Sequence, residues 1–238
     1  MATRNLLYKR EFPLEGEVVM YIPTVGEILE DEDAYYDALS VFTAMPIDMM
    51  VQLDDLGIDF STIDEWDLFL ILFGTIKDAD TSLIFKNLNW DNFQIAMNPK
   101  TSEMVLLDKQ SGFVFDRYVH CRVADFLRKL HHLDKDIRKP ANKEARDYLI
   151  QRQRKKLKRQ RNRTVDSPLE ELIVAMVNTE QFHYDFDGVK KLTIYQFNES
   201  VRQIVSKVEY DNRMFGVYSG TINVTDLSQD DLNWLIHK

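Results

Sequence analysis

The sequence predicts a mainly α-helical protein with a small antiparallel β-meander: an α+β N-terminal region followed by a helical C-terminal region. Two observations lead to this class. Apolar residues recur at helical spacing through most of the chain, with capping residues in front of the runs. Between residues 93 and 115 the pattern changes to short apolar or alternating runs, separated by the turn signals Asn98-Pro99 and Ser111-Gly112.

The proportions of hydrophobic and charged residues are those of an ordinary folded protein. The 238 residues are 45% hydrophobic and 29% charged, which is enough for one large domain or two small ones. The single cysteine, Cys121, excludes an internal disulfide framework and a multi-cysteine zinc site. The longest apolar run, residues 68–73, is far shorter than the roughly 20 residues that span a bilayer. Residues 1–12 also lack the apolar centre of a signal peptide. We therefore expect a soluble protein of a reducing compartment.

The N-terminal elements begin with a short strand at residues 17–22, a candidate fourth member of the meander. Thr24 and Glu27 then have capping-box spacing, and helical periodicity continues to Phe42. A second helical stretch starts at Pro46 and stops near Gly57. These patterns predict a strand followed by two helical segments.

The middle of the chain contains the most apolar helix and the meander. The helix opens at a cap in residues 61–64, runs to about Ile76 and is apolar on nearly every side, which is typical of the centre of a core. Residues 93–97, 104–107 and 113–115 are the three predicted strands. Asp116 can cap the helix that follows them.

After Pro140, Asn142 can cap a helix whose second half is unusual. Residues 152–163 read RQRKKLKRQRNR, eight basic residues in twelve, with Leu157 as the only apolar side chain. No face of this stretch can bury much, so we expect it to project from the body or to rest on something acidic. Beyond it, helix starts are predicted at Ser167-Pro168 and Thr193, with a further helical stretch around residues 210–218.

Charge is strongly segregated along the chain. Residues 1–110 carry 7 basic and 21 acidic side chains, whereas residues 117–163 carry 17 basic and 5 acidic. Residues 164–238 are again acidic, with 6 basic and 12 acidic side chains. We interpret the chain as an acidic α+β N-terminal domain at 1–140, a basic helical connector at 141–166 and a helical C-terminal domain at 167–238.

No residue pattern in the chain indicates catalysis. With eight glycines there is neither a G-x-G-x-x-G loop nor a Walker A sequence, and no G-x-S-x-G elbow is present. His131 and His132 are adjacent, so on a helix they point about 100° apart and cannot easily share a metal. Cys121 lacks a recognisable nucleophile context. We expect no catalytic residues, no cofactor, no metal and hence no enzymatic activity.

The basic helix is the one candidate site, as a partner-binding surface. A membrane would require an apolar face, which Leu157 alone does not supply. Nucleic acid would be attracted by the cations, but stacking aromatics are absent from 152–163 and the whole chain has a net charge of −9. An acidic protein surface fits better, although a plain solvated face remains open. The predicted contacting residues are Arg152, Arg154, Lys155, Lys156, Lys158, Arg159, Arg161 and Arg163.

Several segments together resemble a group of phage and prophage proteins. The motif IPTVGEIL at 22–29 is followed by an acidic helix, then by the basic helix and by LTIYQFNES at 192–200. A closing pattern runs from GVYSG at 216–220 to LNW at 232–234. The group is similar to tail assembly chaperones and related tail-morphogenesis proteins of tailed phages of Gram-positive bacteria.

The resemblance implies a non-enzymatic, chaperone-like protein that binds tape-measure and tail-tube proteins, and its own copies, during assembly in the host cytoplasm. Many such chaperones are smaller and largely helical, whereas this sequence predicts a β-meander near 90–115. A structural virion component, such as a tail adaptor or baseplate part, is therefore an alternative. A nucleic-acid-binding protein that uses the basic helix is a second one.

Overall fold

A computed structural model describes residues 5–14, 18–160 and 167–235, and it confirms the predicted fold class. Helices predominate in these residues, accompanied by two small antiparallel sheets. No helix in the described ranges is long and apolar enough to cross a membrane. The helices are α1 (Val25–Glu30), α2 (Glu32–Thr43), α3 (Met50–Asp55), α4 (Glu65–Lys77), α5 (Arg117–His131), α6 (Lys143–Gln160), α7 (Pro168–Val177), α8 (Phe186–Lys191) and α9 (Ile194–Tyr218).

The predicted meander forms a three-stranded antiparallel sheet. Its strands are β3 (Phe93–Met97), β4 (Met104–Asp108) and β5 (Val114–Phe115), in the order β3-β4-β5. Ile95 pairs with Leu106, and Leu106 pairs in turn with Phe115. Leu106 and Phe115 are fully buried and belong to the main core, so the sheet packs on the core at these two strands.

The N-terminal strand does not join the meander, which corrects one expectation. Strand β2 (Val19–Tyr21) instead pairs antiparallel with β1 (Glu11–Pro13) in a separate two-stranded sheet. The two strands are close in sequence, so closing this hairpin costs less chain entropy than reaching the sheet beyond residue 90. Beyond the hairpin, β2 is tied to the body by an isolated bridge between Met20 and Phe85.

The capping-box prediction at Thr24 is confirmed, but the helix it starts is shorter than expected. Thr24 and Glu27 satisfy each other's backbone amides, and α1 ends at Glu30. Asp31 then leaves the helical conformation, and its side chain accepts a hydrogen bond from Ala34 N to cap α2. An aspartate that bonds to nearby amides competes with helical continuation, and this breaks the predicted single helix in two.

Most buried residues form one main core to which both ends of the chain contribute. From the N-terminal half it contains the aromatic cluster around Phe69 and Trp90, and from the C-terminal half it contains residues of α7, α8 and the first turn of α9. A smaller second cluster lies around Leu53 and Phe60 and includes Ile150 of α6. The proposed domain limits at 140 and 166 stay a prediction, and residues 161–166 lie outside the described ranges.

The C-terminal helices differ from the predicted pattern in two ways. Helix α8 follows an Asp185 cap that the periodicity did not reveal. The stretches predicted near 193 and 210 form the single helix α9, because no glycine or proline interrupts residues 194–215. Among the described residues of α9, the fully buried apolar side chains are confined to its first turn, at Ile194, Tyr195 and Phe197.

Candidate functional site

Helix α6 lies against the N-terminal half of the chain through its few apolar side chains. Ile150 is buried in the second cluster, where it packs with the residues around Leu53 of α3. Leu149 and Leu157 are partly buried against the same cluster. One narrow face of α6 is therefore anchored, even though the helix is strongly polar overall.

Ion pairs with the acidic end of α3 reinforce this anchor. Arg154 Nη2 lies 2.7 Å from Asp54 Oδ2 and 2.5 Å from Asp55 Oδ1. Nearer the start of α6, Arg146 pairs with Asp59. The other described cations of the basic stretch are exposed, whereas Arg154 rests on an acidic surface, one of the two arrangements expected. That surface belongs to its own chain.

The predicted partner-binding residues divide into two groups around the helix. Arg154 faces α3 and is engaged by carboxylates. Arg161 and Arg163 lie outside the described ranges. The remaining five side chains are exposed, and within the described part of the chain they form no ion pair; these outward cations are Arg152, Lys155, Lys156, Lys158 and Arg159.

Four of the outward cations line a surface groove on α6. Its volume is about 540 Å³, and Arg138 from the segment before α6 also contributes to it. A groove with this concentration of unpaired positive charge can bind carboxylates or phosphates, with an affinity that falls as salt rises. We call the four side chains the groove cations; they are Arg152, Lys155, Lys156 and Arg159.

A second cavity, of about 360 Å³, lies beside the groove, and Arg138 lines both. It is enclosed by residues 45–47, 60–66 and the start of α5, with the extended segment 135–139 along one side. Its wall is largely apolar, and its rim carries charged groups. The apolar side chains are Met45, Pro46, Ile47, Phe60, Ile63, Trp66 and Ile137.

A buried carboxylate fixes one side of this cavity. Glu65 is 8% exposed and pairs with both Arg128 of α5 and Lys135 of the extended segment. Arg128 Nη2 also donates to Thr43 O at 2.7 Å. The cluster joins α4, α5 and the 135–139 segment, so the cavity wall is held in place by charge-assisted hydrogen bonds.

His120 is the most unusual polar side chain of the cavity. It is 2% exposed, and its ring centroid lies 4.4 Å from that of Phe69. Its Nε2 is buried and has no hydrogen-bond partner among the described residues. Burial lowers the pKa of His120 to about 4, so the ring is neutral at neutral pH. The ring is therefore a neutral group packed into the cavity wall, with its Nε2 closed to solvent.

Neither the Cys121 thiol nor His131 is placed to react in the cavity. Burial and the neighbouring Asp125 raise the pKa of the Cys121 thiol, which disfavours the nucleophilic thiolate. His131 lies away from the cavity, with Nε2 2.8 Å from the Tyr35 hydroxyl. In the residues that the structure describes, no cluster of His, Cys, Asp and Glu is arranged to hold a metal ion.

The sequence pattern predicted the basic helix but not the cavity. One signal was present: His120 shares the apolar stripe of α5 with Val123 and Leu127, where a polar side chain is unusual. The other contributors, Glu65 and the segment 135–139, are far apart in sequence and come together only in the fold.

Comparison with known proteins supplies one match. Residues 158–237, about a third of the chain, match the model of a family described as the YomV second domain, a family of phage and prophage type. No curated protein and no solved structure matches the chain significantly. The C-terminal region is thus similar to a phage-associated domain. This agrees with the phage and prophage resemblance of the sequence, whereas a role in tail assembly stays a prediction.

Proposed function

We propose that this chain is a non-enzymatic phage protein that binds other phage proteins during tail assembly, in the manner of a chaperone. The supporting observation is the way in which α6 packs, with one face anchored and the other exposed. One face is anchored on α3 through Ile150 and Arg154, while the outward cations have no partner within the described residues. A helix anchored in this way presents its charge with little further loss of backbone entropy on binding.

The proposed partners are the tape-measure and tail-tube proteins, with self-association as an additional contact, in the host cytoplasm. An acidic protein surface suits the outward cations, because oppositely charged surfaces speed association and fix the orientation of the complex. The match of residues 158–237 to a phage-associated family supports the phage setting. The proposal of tail partners rests on the resemblance of the motifs at 22–29 and 192–200.

Co-expression with the tape-measure and tail-tube proteins, followed by affinity capture, tests this proposal. We expect a complex at low and moderate salt, and a weaker one when the groove cations are changed to glutamine. A matched control removes the same number of exposed cations elsewhere, by Lys100→Gln, Lys109→Gln, Lys190→Gln and Lys191→Gln. No complex with either partner at moderate salt, or equal weakening by the control, would contradict the proposal.

A structural virion component is the second candidate, favoured by the β3-β4-β5 sheet, which many smaller helical chaperones lack. Mass spectrometry of purified particles separates the two candidates. An assembly chaperone is absent from finished particles, whereas an adaptor or baseplate part is present in fixed stoichiometry.

A nucleic-acid-binding role is the third candidate, since the outward cations could also contact phosphates. An electrophoretic shift assay with DNA and RNA over a salt series decides it. Weak binding at low salt without a steep salt dependence would exclude this role.

A further inference from the structure

The β3-β4-β5 sheet has one closed edge and one open edge. On the side of β5, which is two residues long, Trp66 Nε1 of α4 donates a hydrogen bond to Met104 O at 3.1 Å. On the other side, β3 pairs with β4 alone, so one row of its backbone groups has no strand beside it. The β3 edge is therefore the place in this sheet where another strand can add.

The hydrogen bonds of β3 show which of its backbone groups point outward. Asn98 N, directly after β3, donates at 2.8 Å to the backbone carbonyl that precedes β4. Bonding directions alternate along an antiparallel strand. Gln94 and Ala96 therefore face β4, whereas the N–H and C=O groups of Ile95 and Met97 point away from it. Within the described residues, these outward groups make no backbone hydrogen bond on the open side.

The usual protections of an open edge are missing from β3. The strand reads FQIAM, with no proline and no charged side chain. Its register with β4 is continuous over the whole strand, so no bulge turns the edge away. Ile95 and Met97 are 46% and 65% exposed, so apolar surface accompanies the open backbone groups. An exposed apolar edge of this kind favours pairing with another strand.

Opposite charges stand at the two ends of β3. Asp91 lies just before the strand and Lys100 just after it, and both are exposed. Neither side chain has an ion-pair partner in the part of the chain that the structure describes. An antiparallel pair of two β3 strands places Asp91 of each copy near Lys100 of the other, whereas a parallel pair brings like charges together. The charges at its ends therefore make the edge complementary to itself.

We infer that two copies of this chain pair through β3, antiparallel and related by a two-fold axis at Ile95, to form one continuous sheet. The two Ile95 residues exchange N–H···O=C bonds, and Met97 N of each copy donates to Phe93 O of the other. Phe93 N needs no new partner, because it already donates to Trp90 O. Since the other edge of each sheet is closed, assembly ends at the dimer.

This inference gives the self-association within the proposed function a definite surface, and it rests on that function to this extent. The β3 edge shares no residue with the outward cations of α6. Its test uses the chain alone, whereas the proposed function is tested with tail proteins. The two can therefore fail separately.

An extended segment of a different protein is the other possible occupant of the edge. Such a segment loses conformational entropy when it becomes ordered as a strand. The β3 strand of a second copy is already extended, and it carries the required opposite charge at each end. The contact is one short strand from each copy, which is smaller than a standard interface, so we expect a reversible dimer with a micromolar dissociation constant.

Analytical ultracentrifugation of the full chain over a concentration series tests the inference. Ile95→Pro removes the outward N–H and leaves the bonds between β3 and β4 in place, because an edge strand tolerates proline where its N–H faces solvent. We expect this variant to dimerise at least tenfold more weakly. Ile95→Lys should also weaken the dimer, whereas the matched control Ile71→Lys, at a position of α4 that is 43% exposed, should dimerise as the wild type does.

Exchanging the charges tests the orientation of the pair. Asp91→Lys or Lys100→Asp alone brings like charges together at both ends of the contact. Each exposed ion pair contributes little, so we expect about fivefold weaker dimerisation from either change. The double variant restores the opposite charges and should dimerise as the wild type does. Failure of the double variant to recover would contradict an antiparallel pair.

Amide hydrogen exchange identifies the strand edge directly and needs no variant. The amides of Ile95 and Met97 should exchange quickly in dilute solution and slowly above the dissociation constant. Those of Gln94 and Ala96 bond to β4 and should be protected at both concentrations. This measurement decides the inference even if Ile95→Pro does not fold.

Several results would overturn the inference. They are a chain that stays monomeric at the highest attainable concentration, a dimer that Ile95→Pro does not weaken, growth into larger oligomers, or protection of the Ile95 and Met97 amides only after a tail protein is added. The last result would assign the edge to a different protein. A dimer through β3 without any tail-protein complex would leave this inference standing and contradict the proposed function.

Discussion

Arg128 on α5 and Arg154 on α6 each engage a carboxylate of the N-terminal region, but at very different depths. The side chains of Arg128 and its partner Glu65 are both buried, whereas the Arg154 side chain is 37% exposed and pairs with two exposed aspartates. Both helices carry many cations, yet α5 lies within the main core and α6 on its surface. Charge content alone does not reveal which arginine is structural.

The difference follows from the apolar residues around each arginine. Helix α5 has a stripe that includes Val123, Leu127 and Leu130, each with no exposed surface, and it carries Arg128 inward with it. Helix α6 has Ile150 as its fully buried apolar side chain, so its cations stay at the surface. The same residue type is therefore held inside the core in one helix and stays at the surface in the other.

The largest predicted effect is on the buried pair. Glu65→Gln removes the charge that faces Arg128 and Lys135, and an uncompensated buried cation typically costs about 3–5 kcal/mol. Urea unfolding at equilibrium measures the loss. The matched control, Asp54→Asn with Asp55→Asn, acts on the exposed pair of Arg154 and should lose only a small part of that amount. Equal losses would remove the distinction between the two arginines.

The second effect is a pH dependence that comes from α5 and not from α6. Burial lowers the pKa of His120 to about 4, below the usual value of about 6.5. Between these values the unfolded chain takes up a proton that the folded chain does not. The contribution of neutral His120 to the free energy of unfolding is therefore complete above about pH 6.5. It falls by roughly 3 kcal/mol as the pH drops toward 4.

Urea unfolding over a pH series measures this slope. Burial also lowers the pKa of His131 to about 4, so part of the slope should survive in His120→Phe. A wild-type slope retained in full by His120→Phe would show that this ring titrates alike in the folded and unfolded states.

The smallest effect is expected on the surface of α6. Changing the groove cations to glutamine should leave the thermal unfolding midpoint unchanged within error, because exposed charges without partners contribute little to stability. Calorimetry measures the unfolding midpoint of this variant and of a control with the same net charge. The control has glutamine at Lys100, Lys109, Lys190 and Lys191. A marked loss confined to the α6 variant would mean that these side chains serve the fold rather than a partner.

Local sequence patterns determined much of the secondary structure. Thr24, Asp116, Ser167 and Thr193 are helix caps as predicted, because a cap depends on hydrogen bonds within a few residues. The three strands of the meander were also found, since turns and alternation are local signals. The break at Asp31 was missed because its side chain competes with a helix that the periodicity favours.

The composition of residues 152–163 likewise determined that this part of α6 could bury little and would carry unpaired charge. Only the tertiary structure decided which of its faces is covered, placing Arg154 against Asp54 and Asp55 and leaving the groove cations outward. The cavity around His120 has the same origin, since its walls come from segments distant in sequence. Packing between such segments depends on the shape and charge of the whole core, and a local pattern of residues does not contain that information.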